Sequence, residues 1–253
     1  MQVQAIKTRR VEAHDDLESF LEDSIIDLQE RTILTVTSKV VALCEGRLVP
    51  KKTGEKNEKH ELVRQEAEQY IDPSQSKMNL MLTIKTGVLA VNAGVDESNI
   101  DNRYYVLLPE DSFVSAEEIW LWARKKFSLK EFGVIVTDSR TVPLKWGVLG
   151  TALGYCGFVG LRNEIGHPDL YGRKMKMTQI NNAEALAVAA VYVGGESAES
   201  QPLVVVSDLP QIVFTQSPPD AKEKTSLKIR PIDDVYWPII SSAAWKKGGS
   251  GSK

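Results

Sequence analysis

Cysteine is nearly absent. Only Cys44 and Cys156 occur in 253 residues, with no Cys-x-x-Cys spacing and only three histidines. That scarcity argues against a disulfide framework or a structural zinc site, and reduced thiols in a cytoplasmic setting are expected. Long apolar runs are missing too. The longest tidy one, Ala185 to Val193, falls far short of the roughly 20 residues a bilayer-spanning helix needs. No basic excess exists: 31 Lys+Arg against 34 Asp+Glu leave a net charge of -3, which argues against a general nucleic-acid coat. The start, through Lys7-Thr8-Arg9-Arg10, lacks the apolar core of a signal peptide. There is no P-loop, no dinucleotide fingerprint, no internal repeat and no evident nucleophile–base pair. What remains is a soluble globular composition, 42% hydrophobic and 26% charged, with length enough for one large domain or two smaller ones.

The patterning divides the chain into short elements. Val3 to Ile6 reads as a strand, and the cations after it would either meet a phosphate or form a solvated face. Asp15 or Asp16 can cap a helix carrying Leu17, Phe20 and Leu21. The β-branched run Thr32 to Thr37 predicts a buried strand entering a short helix, with Ser38 as N-cap and Gly46 as terminator. Such a helix start offers free N–H groups to an anion, unless it is an ordinary connection. After a polar loop, Lys51 to Lys59, and an exposed helix, Asn57 to Tyr70, a hairpin is expected from Met81–Ile84 and Val88–Val91 around Lys85-Thr86-Gly87. It delivers Asn92-Ala93-Gly94-Val95-Asp96-Glu97-Ser98-Asn99. Asp96 and Asn99 there could supply hard oxygen ligands and an amide, or could only bond their own turn. Tyr104 to Leu108 reads as a strand ended by Pro109. Ser115 to Phe127 reads as an amphipathic helix whose Trp120 and Trp122 serve packing. Gly133 to Thr137 predicts a second buried strand ending in Asp138-Ser139, with cap or metal-phosphate chemistry. Gly147, Gly150, Gly154, Gly157 and Gly160 predict backbone packed closely against its neighbours. His167 to Arg173 is a turn with an exposed His167. Asn182 should start a helix from Ala183 to Val193, broken at Gly194-Gly195. Leu203 to Val206 is the last buried strand, 209–247 an irregular C-terminal wrap, and 248–253 a Gly/Ser linker outside the fold.

Several of these motifs fall in one order. Thr37-Ser38-Lys39 with Glu45-Gly46-Arg47, Asn92-Ala93-Gly94 with Asp96, Ser98 and Asn99, Thr137-Asp138-Ser139, Asp169-Leu170-Tyr171-Gly172-Arg173, and Gly195-Glu196 together resemble the coenzyme F420-0:L-glutamate ligase (γ-glutamyl ligase) family. Over residues 1–208 the likeness is closest to its bacterial branch of folate-metabolism γ-glutamate ligases. It implies an α+β, mixed-sheet chain of two intertwined subdomains that pairs into a homodimer. It also implies an amide ligation between L-glutamate and a carboxylate-bearing cofactor acceptor, driven by GTP or ATP with Mg²⁺ or Mn²⁺ through an acyl phosphate. No nucleic acid or membrane takes part.

By the same resemblance Asp96, Asp138 and Glu196 would be the catalytic metal ligands, with the Ser139 hydroxyl beside them. Thr8, Arg9, Arg10, Val11, Ser38, Lys39, Asn99, Gly194, Gly195 and Ser197 would hold the nucleotide. Arg140, Lys145 and Arg173 would meet substrate. Two positions depart from the deazaflavin ligases. Leu43 stands where they carry a nucleotide-contacting lysine, and Arg140-Thr141-Val142 replaces their Gly-Arg loop. The rival expectations are the same ligation on a folate acceptor and a nucleotide- and metal-binding protein without turnover.

Overall fold

The computed structural model describes residues 1–250. In chain order the elements begin with β1 (Gln2–Ile6), α1 (Leu17–Ser24), β2 (Thr32–Thr37), α2 (Ser38–Cys44), β3 (Leu48–Pro50), α3 (Lys56–Glu66) and β4 (Gln69–Tyr70). β5 (Leu82–Lys85), β6 (Val88–Val91), β7 (Tyr104–Val106), α4 (Ser112–Phe127), β8 (Phe132–Thr141) and β9 (Val148–Cys156) follow. The last are β10 (Leu161–Asn163), β11 (Gln179–Asn181), α5 (Asn182–Gly194), β12 (Leu203–Ser207), α6 (Ala221–Ser226), α7 (Trp237–Ser242) and β13 (Lys246–Lys247). The fold is mixed α+β around a mixed sheet.

That sheet runs β1-β12-β2-β8-β9. β2 and β8 pair parallel, Thr32 opposite Phe132 through Thr37 opposite Thr137, and the other neighbours are antiparallel. A strand's side chains alternate between faces, so β2 sends Leu34 and Val36 to one side and Ile33 to the other. The first face packs on α1, α2 and α4 through Phe20, Leu21, Val41, Ile119 and Trp120. The second packs on α5 through Ala183, Leu186, Ala187 and Ala190. With both faces covered, β2 and β8 read as near-continuous apolar runs. A third cluster, of Val63, Ala67, Met81, Ala93, Val95, Tyr105 and Leu107, joins α3 to the segments flanking the β5–β6 hairpin and to the β7 stretch.

Most expected elements stand where the patterning put them, with instructive differences. The cap of α2 is Thr37, without a side-chain bond, and Ser38 is the first helical residue. Asn181 rather than Asn182 caps α5, accepting from Glu184 N at 3.0 Å, while Asn182 Nδ2 donates to Val159 O at 3.0 Å. The helix expected over 57–70 ends at Glu66, because Gln69 and Tyr70 pair with β5. Asp138 and Ser139 do not end their strand. β9 continues beside them past a bulge at Val136/Thr137, so β8 runs on to Thr141 after its parallel partner has stopped.

Thr86 and Gly87 both have positive φ, as a two-residue hairpin turn requires. The glycine series behaves as close packing at four of its five members. A Cβ at Gly150 would meet the Ala187 carbonyl, at Gly154 the Ser112 carbonyl, at Gly157 the Phe132 carbonyl and at Gly160 the Tyr155 ring. Gly147 has nothing near it. Beyond Asp208, Leu209 and Ile212 are buried, and β13 adds to the small sheet. The Gly/Ser tail is docked as far as it is described: Gly248 N donates to Glu68 O and Gly249 N to Arg64 O, both at 2.9 Å. Residues 251–253 of that tail lie outside the described residues.

Candidate functional site

The site forms where the parallel pair β2/β8 ends. One chain turns into α2 there, and the other carries on as Asp138-Ser139. Across this edge lies the connection from α5 to β12, held by Thr8 N to Ser200 O at 2.9 Å and Thr37 N to Pro202 O at 3.0 Å. The third wall is the turn after β6. Asn92, Ala93 and Gly94 take three successive left-handed conformations, φ 52°, 50° and 76°. Such backbone is costly outside glycine and persists only where its surroundings hold it. Here Asn92 Oδ1 accepts from Met81 N at 3.0 Å, and the buried Thr83 hydroxyl accepts from Ala93 N at 2.9 Å. The turn delivers Asp96 into the site.

These walls enclose a cavity of about 470 Å³, the size of a small-molecule site. Its lining takes Thr8, Arg9, Arg10 and Val11 from the segment after β1, and Lys39 from α2. Asp96 and Asn99 come from the left-handed turn, Asp138 and Ser139 from β8, and Gly194, Gly195, Glu196 and Ser197 from the end of α5. Asn99 Nδ2 donates to Ser197 O at 2.9 Å, tying two of the walls together. Val11, Val40 and Leu43 add apolar surface. Ser38 is not in the lining; it is buried, and its hydroxyl acts on Asp138.

Lys39 is the electrostatic centre. Its Nζ donates to Asp96 Oδ2 at 2.7 Å, Ser98 O at 2.7 Å and Ser98 Oγ at 3.0 Å. Burial pushes Asp96 up, but the charge and hydrogen bond of Lys39, with the Ser98 hydroxyl and the Glu97 N–H, outweigh it and hold the carboxyl at about 2. Asp138 goes the other way. Burial pushes it up to about 6 and the charge of Asp96 adds to this, against the Ser139 N–H, Lys39 and the Ser38 hydroxyl. Glu196 is also raised, chiefly by burial, while the Ser139 hydroxyl and Lys39 oppose. Lys39 thus pairs with Asp96 and its charge reaches Asp138 and Glu196; carboxyls in one cavity with environments this different are the pattern by which functional sites are recognised.

Among the described residues no three His, Cys, Asp or Glu side chains stand close enough to chelate one ion unaided. The donor chemistry nonetheless fits Mg²⁺ or Mn²⁺. Such ions take hard oxygens, typically one or two carboxylates completed by substrate phosphates and water, and the cavity offers Asp96, Asp138, Glu196 and the Ser139 hydroxyl.

The three expected substrate cations are not brought here. Arg140 pairs with Glu184 at 3.1 Å, Arg173 with Asp169 at 3.1 Å, and Lys145 lies in the exposed turn between β8 and β9. None lines the cavity, because β8 and β9 extend as a hairpin beyond the sheet edge and carry Arg140 and Lys145 away from it. His167 is exposed and bonded to Glu164 at 2.9 Å. Two contributors escaped the sequence reading. Ser98 lay inside a recognised motif without a role, and Thr83, an ordinary strand threonine, gave no signal.

Comparison with known proteins supplies the remaining observation. The sequence pattern described as F420-0:Gamma-glutamyl ligase matches residues 5–208. The chain is similar to the Coenzyme F420:L-glutamate ligase of Methanopyrus kandleri, 31% identical over 229 residues, 85% of this chain and 89% of the relative. It is 33% identical over 196 residues to the protein of that name from Methanocaldococcus jannaschii, covering 76% and 72%. With that from Methanosarcina mazei it shares 32% over 206 residues, 77% and 80%.

Proposed function

The chain belongs to the F420-0:gamma-glutamyl ligase family, and from its cavity we propose that it joins the amine of L-glutamate to a carboxylate of a coenzyme F420-type acceptor at the expense of a nucleoside triphosphate. The observation that carries this reading is the carboxylate cluster of Asp96, Asp138 and Glu196 around Lys39. It stands beside the Arg9-Arg10 segment and the loop from Gly195 to Ser197, which line the same cavity.

In the proposed reaction the acceptor carboxylate attacks the γ-phosphorus of GTP or ATP, the nucleoside diphosphate leaves, and an acyl phosphate forms. The glutamate amine then attacks the acyl carbon, loses a proton, and inorganic phosphate departs as the amide closes. This chemistry asks for positioning and charge neutralisation rather than a protein nucleophile. Mg²⁺ or Mn²⁺ held by Asp96, Asp138, Glu196 and the Ser139 hydroxyl would supply the neutralisation. Lys39 and the Arg9-Arg10 segment would bear on the phosphates, the loop beyond Gly194-Gly195 would border them, and Asn99, which donates to Ser197 O, would fix that facing loop. Val11, Val40 and Leu43 would exclude water on one side.

The test is a mass-spectrometric ligation assay with L-glutamate, Mg²⁺ or Mn²⁺, and GTP or ATP. A one-glutamate gain on the F420 precursor with phosphate release is the expected outcome; no gain on any acceptor would overturn it. The apolar Leu43 in the wall, where a cation stands in the deazaflavin ligases, favours a second arm with reduced folate. A gain there alone would move the acceptor to folate. Bound nucleotide with no phosphate release on either would leave a binding protein. We also propose that the chain works as a homodimer.

A further inference from the structure

The lone pairs of Asp96 are all taken. An ionised carboxylate offers about four acceptor positions. Oδ1 accepts from Glu97 N at 2.7 Å and Ser98 N at 3.1 Å, and Oδ2 accepts from Lys39 Nζ at 2.7 Å and Ser98 Oγ at 2.7 Å. The Lys39 ammonium is itself satisfied, with its three protons on Asp96 Oδ2, Ser98 O and Ser98 Oγ. Its charge also bears on Asp138 and Glu196. A cation can therefore reach Asp96 only if this arrangement opens. Opening it in the absence of other anions would strand an ammonium in a half-buried site, which is costly.

We propose that Lys39 is an internal counter-ion that occupies the cation position at Asp96 in the free protein and makes divalent-metal and nucleotide binding mutually dependent. A triphosphate offers the ammonium new acceptor oxygens, so Lys39 leaves Asp96 for the phosphates and frees Oδ2 for the metal that accompanies them. Each ligand thereby lowers the cost of the other, and the coupling is equal in both directions. The free protein then holds neither metal nor nucleotide tightly alone. It also avoids three mutually repelling carboxylates facing water in a cavity. The inference rests on the proposed nucleotide and metal reading of this cavity.

The experiment is a Mn²⁺ titration of the full chain followed by the electron paramagnetic resonance signal of free Mn²⁺. It is run alone and with a non-hydrolysable GTP or ATP analogue, so no turnover is involved. In the wild type the analogue should tighten Mn²⁺ by about tenfold or more. Lys39→Met should bind Mn²⁺ alone about tenfold more tightly than the wild type and lose most of the analogue's effect. Ser98→Ala keeps the lysine but removes one of its anchors and one donor to Oδ2, so it should shift in the same direction by less. It serves as the readout if the Lys39 variant does not fold. Wild-type coupling with no tightening of bare Mn²⁺ in either folded variant would overturn the counter-ion role and leave the functional reading standing. Absence of Mn²⁺ binding to the wild type even with both analogues would overturn the two together.

Discussion

At the scale of single residues, the site shows how burial and one neighbouring cation send similar groups in opposite directions. Asp96 is held at about 2 and Asp138 at about 6, although both face the same cavity. For Asp138 the consequence is a stability cost. A carboxyl raised in the folded state lends stability below its ordinary range, near pH 4, and that contribution is lost as pH rises through about 6. Asp138→Asn should therefore melt above the wild type at pH 8 in EDTA, converge with it near pH 4, and lose ligation. Thermal melts across pH 4–8 check this, and a variant melting below the wild type at pH 8 would contradict it. The thiols give a second expectation. Burial pushes Cys44 and Cys156 up to about 12, leaving a thiolate fraction of about one in ten thousand at pH 8. Iodoacetamide at pH 8 should label neither in the native protein and both in urea, read by intact mass.

At the scale of elements, the cavity depends on how α5 is seated. Gly150 on β9 lets the strand approach until its Cα faces the Ala187 carbonyl, and α5 ends at the Gly194-Gly195 corner that presents Glu196. Gly150→Ala should destabilise the chain by about 1–3 kcal/mol or more, the usual cost of overpacking, and weaken nucleotide binding through the displaced helix end. Gly147→Ala is the control. Nothing crowds Gly147, so only its φ of 91° is strained, and its cost should stay near 1 kcal/mol without touching binding. Denaturant unfolding and a nucleotide titration separate the two; equal effects on binding would refute the role given to helix seating. The elements themselves were legible in the sequence where one physical signal dominated. β2 and β8 announced themselves by β-branched runs, and the hairpin at Thr86-Gly87 by its turn chemistry. The caps of α2 and α5 were misplaced by one residue, since Ser38 and Asn182 have the right side chains but spend them on Asp138 and Val159.

At the scale of the whole molecule, apolar residues are left in the open outside the cavity lining. Leu144 and Trp146 on the β8–β9 turn, and Leu170 and Tyr171 on the 164–178 loop, are almost fully exposed. Other apolar side chains, such as Ile26, Tyr192 and Val235, are exposed elsewhere, but neighbouring exposed groups on a loop are of the kind a partner surface uses, and a second copy of the chain is the expected occupant. Sedimentation of the wild type should give a dimer and that of Trp146→Glu a monomer with its elements intact. A monomeric wild type would remove the proposal.

The order of motifs, the class of fold and the positions of the main strands and helices were determined by the sequence alone. The elements rest on local chemistry, strand-forming runs and turn residues at a given spacing, while the roles expected of the acidic and cationic residues rest on the family resemblance. Which of those residues meet was decided only by the tertiary structure. Asp96, Asp138 and Glu196 stand far apart along the chain and face one lysine because the β2/β8 edge, the end of α5 and a left-handed turn converge there. Arg140 follows Ser139 directly, yet the continuing β8–β9 pairing directs it to Glu184 instead. Proximity in sequence carries no information about which side of a strand a cavity lies on; that follows from sheet register and from the helix packed against it.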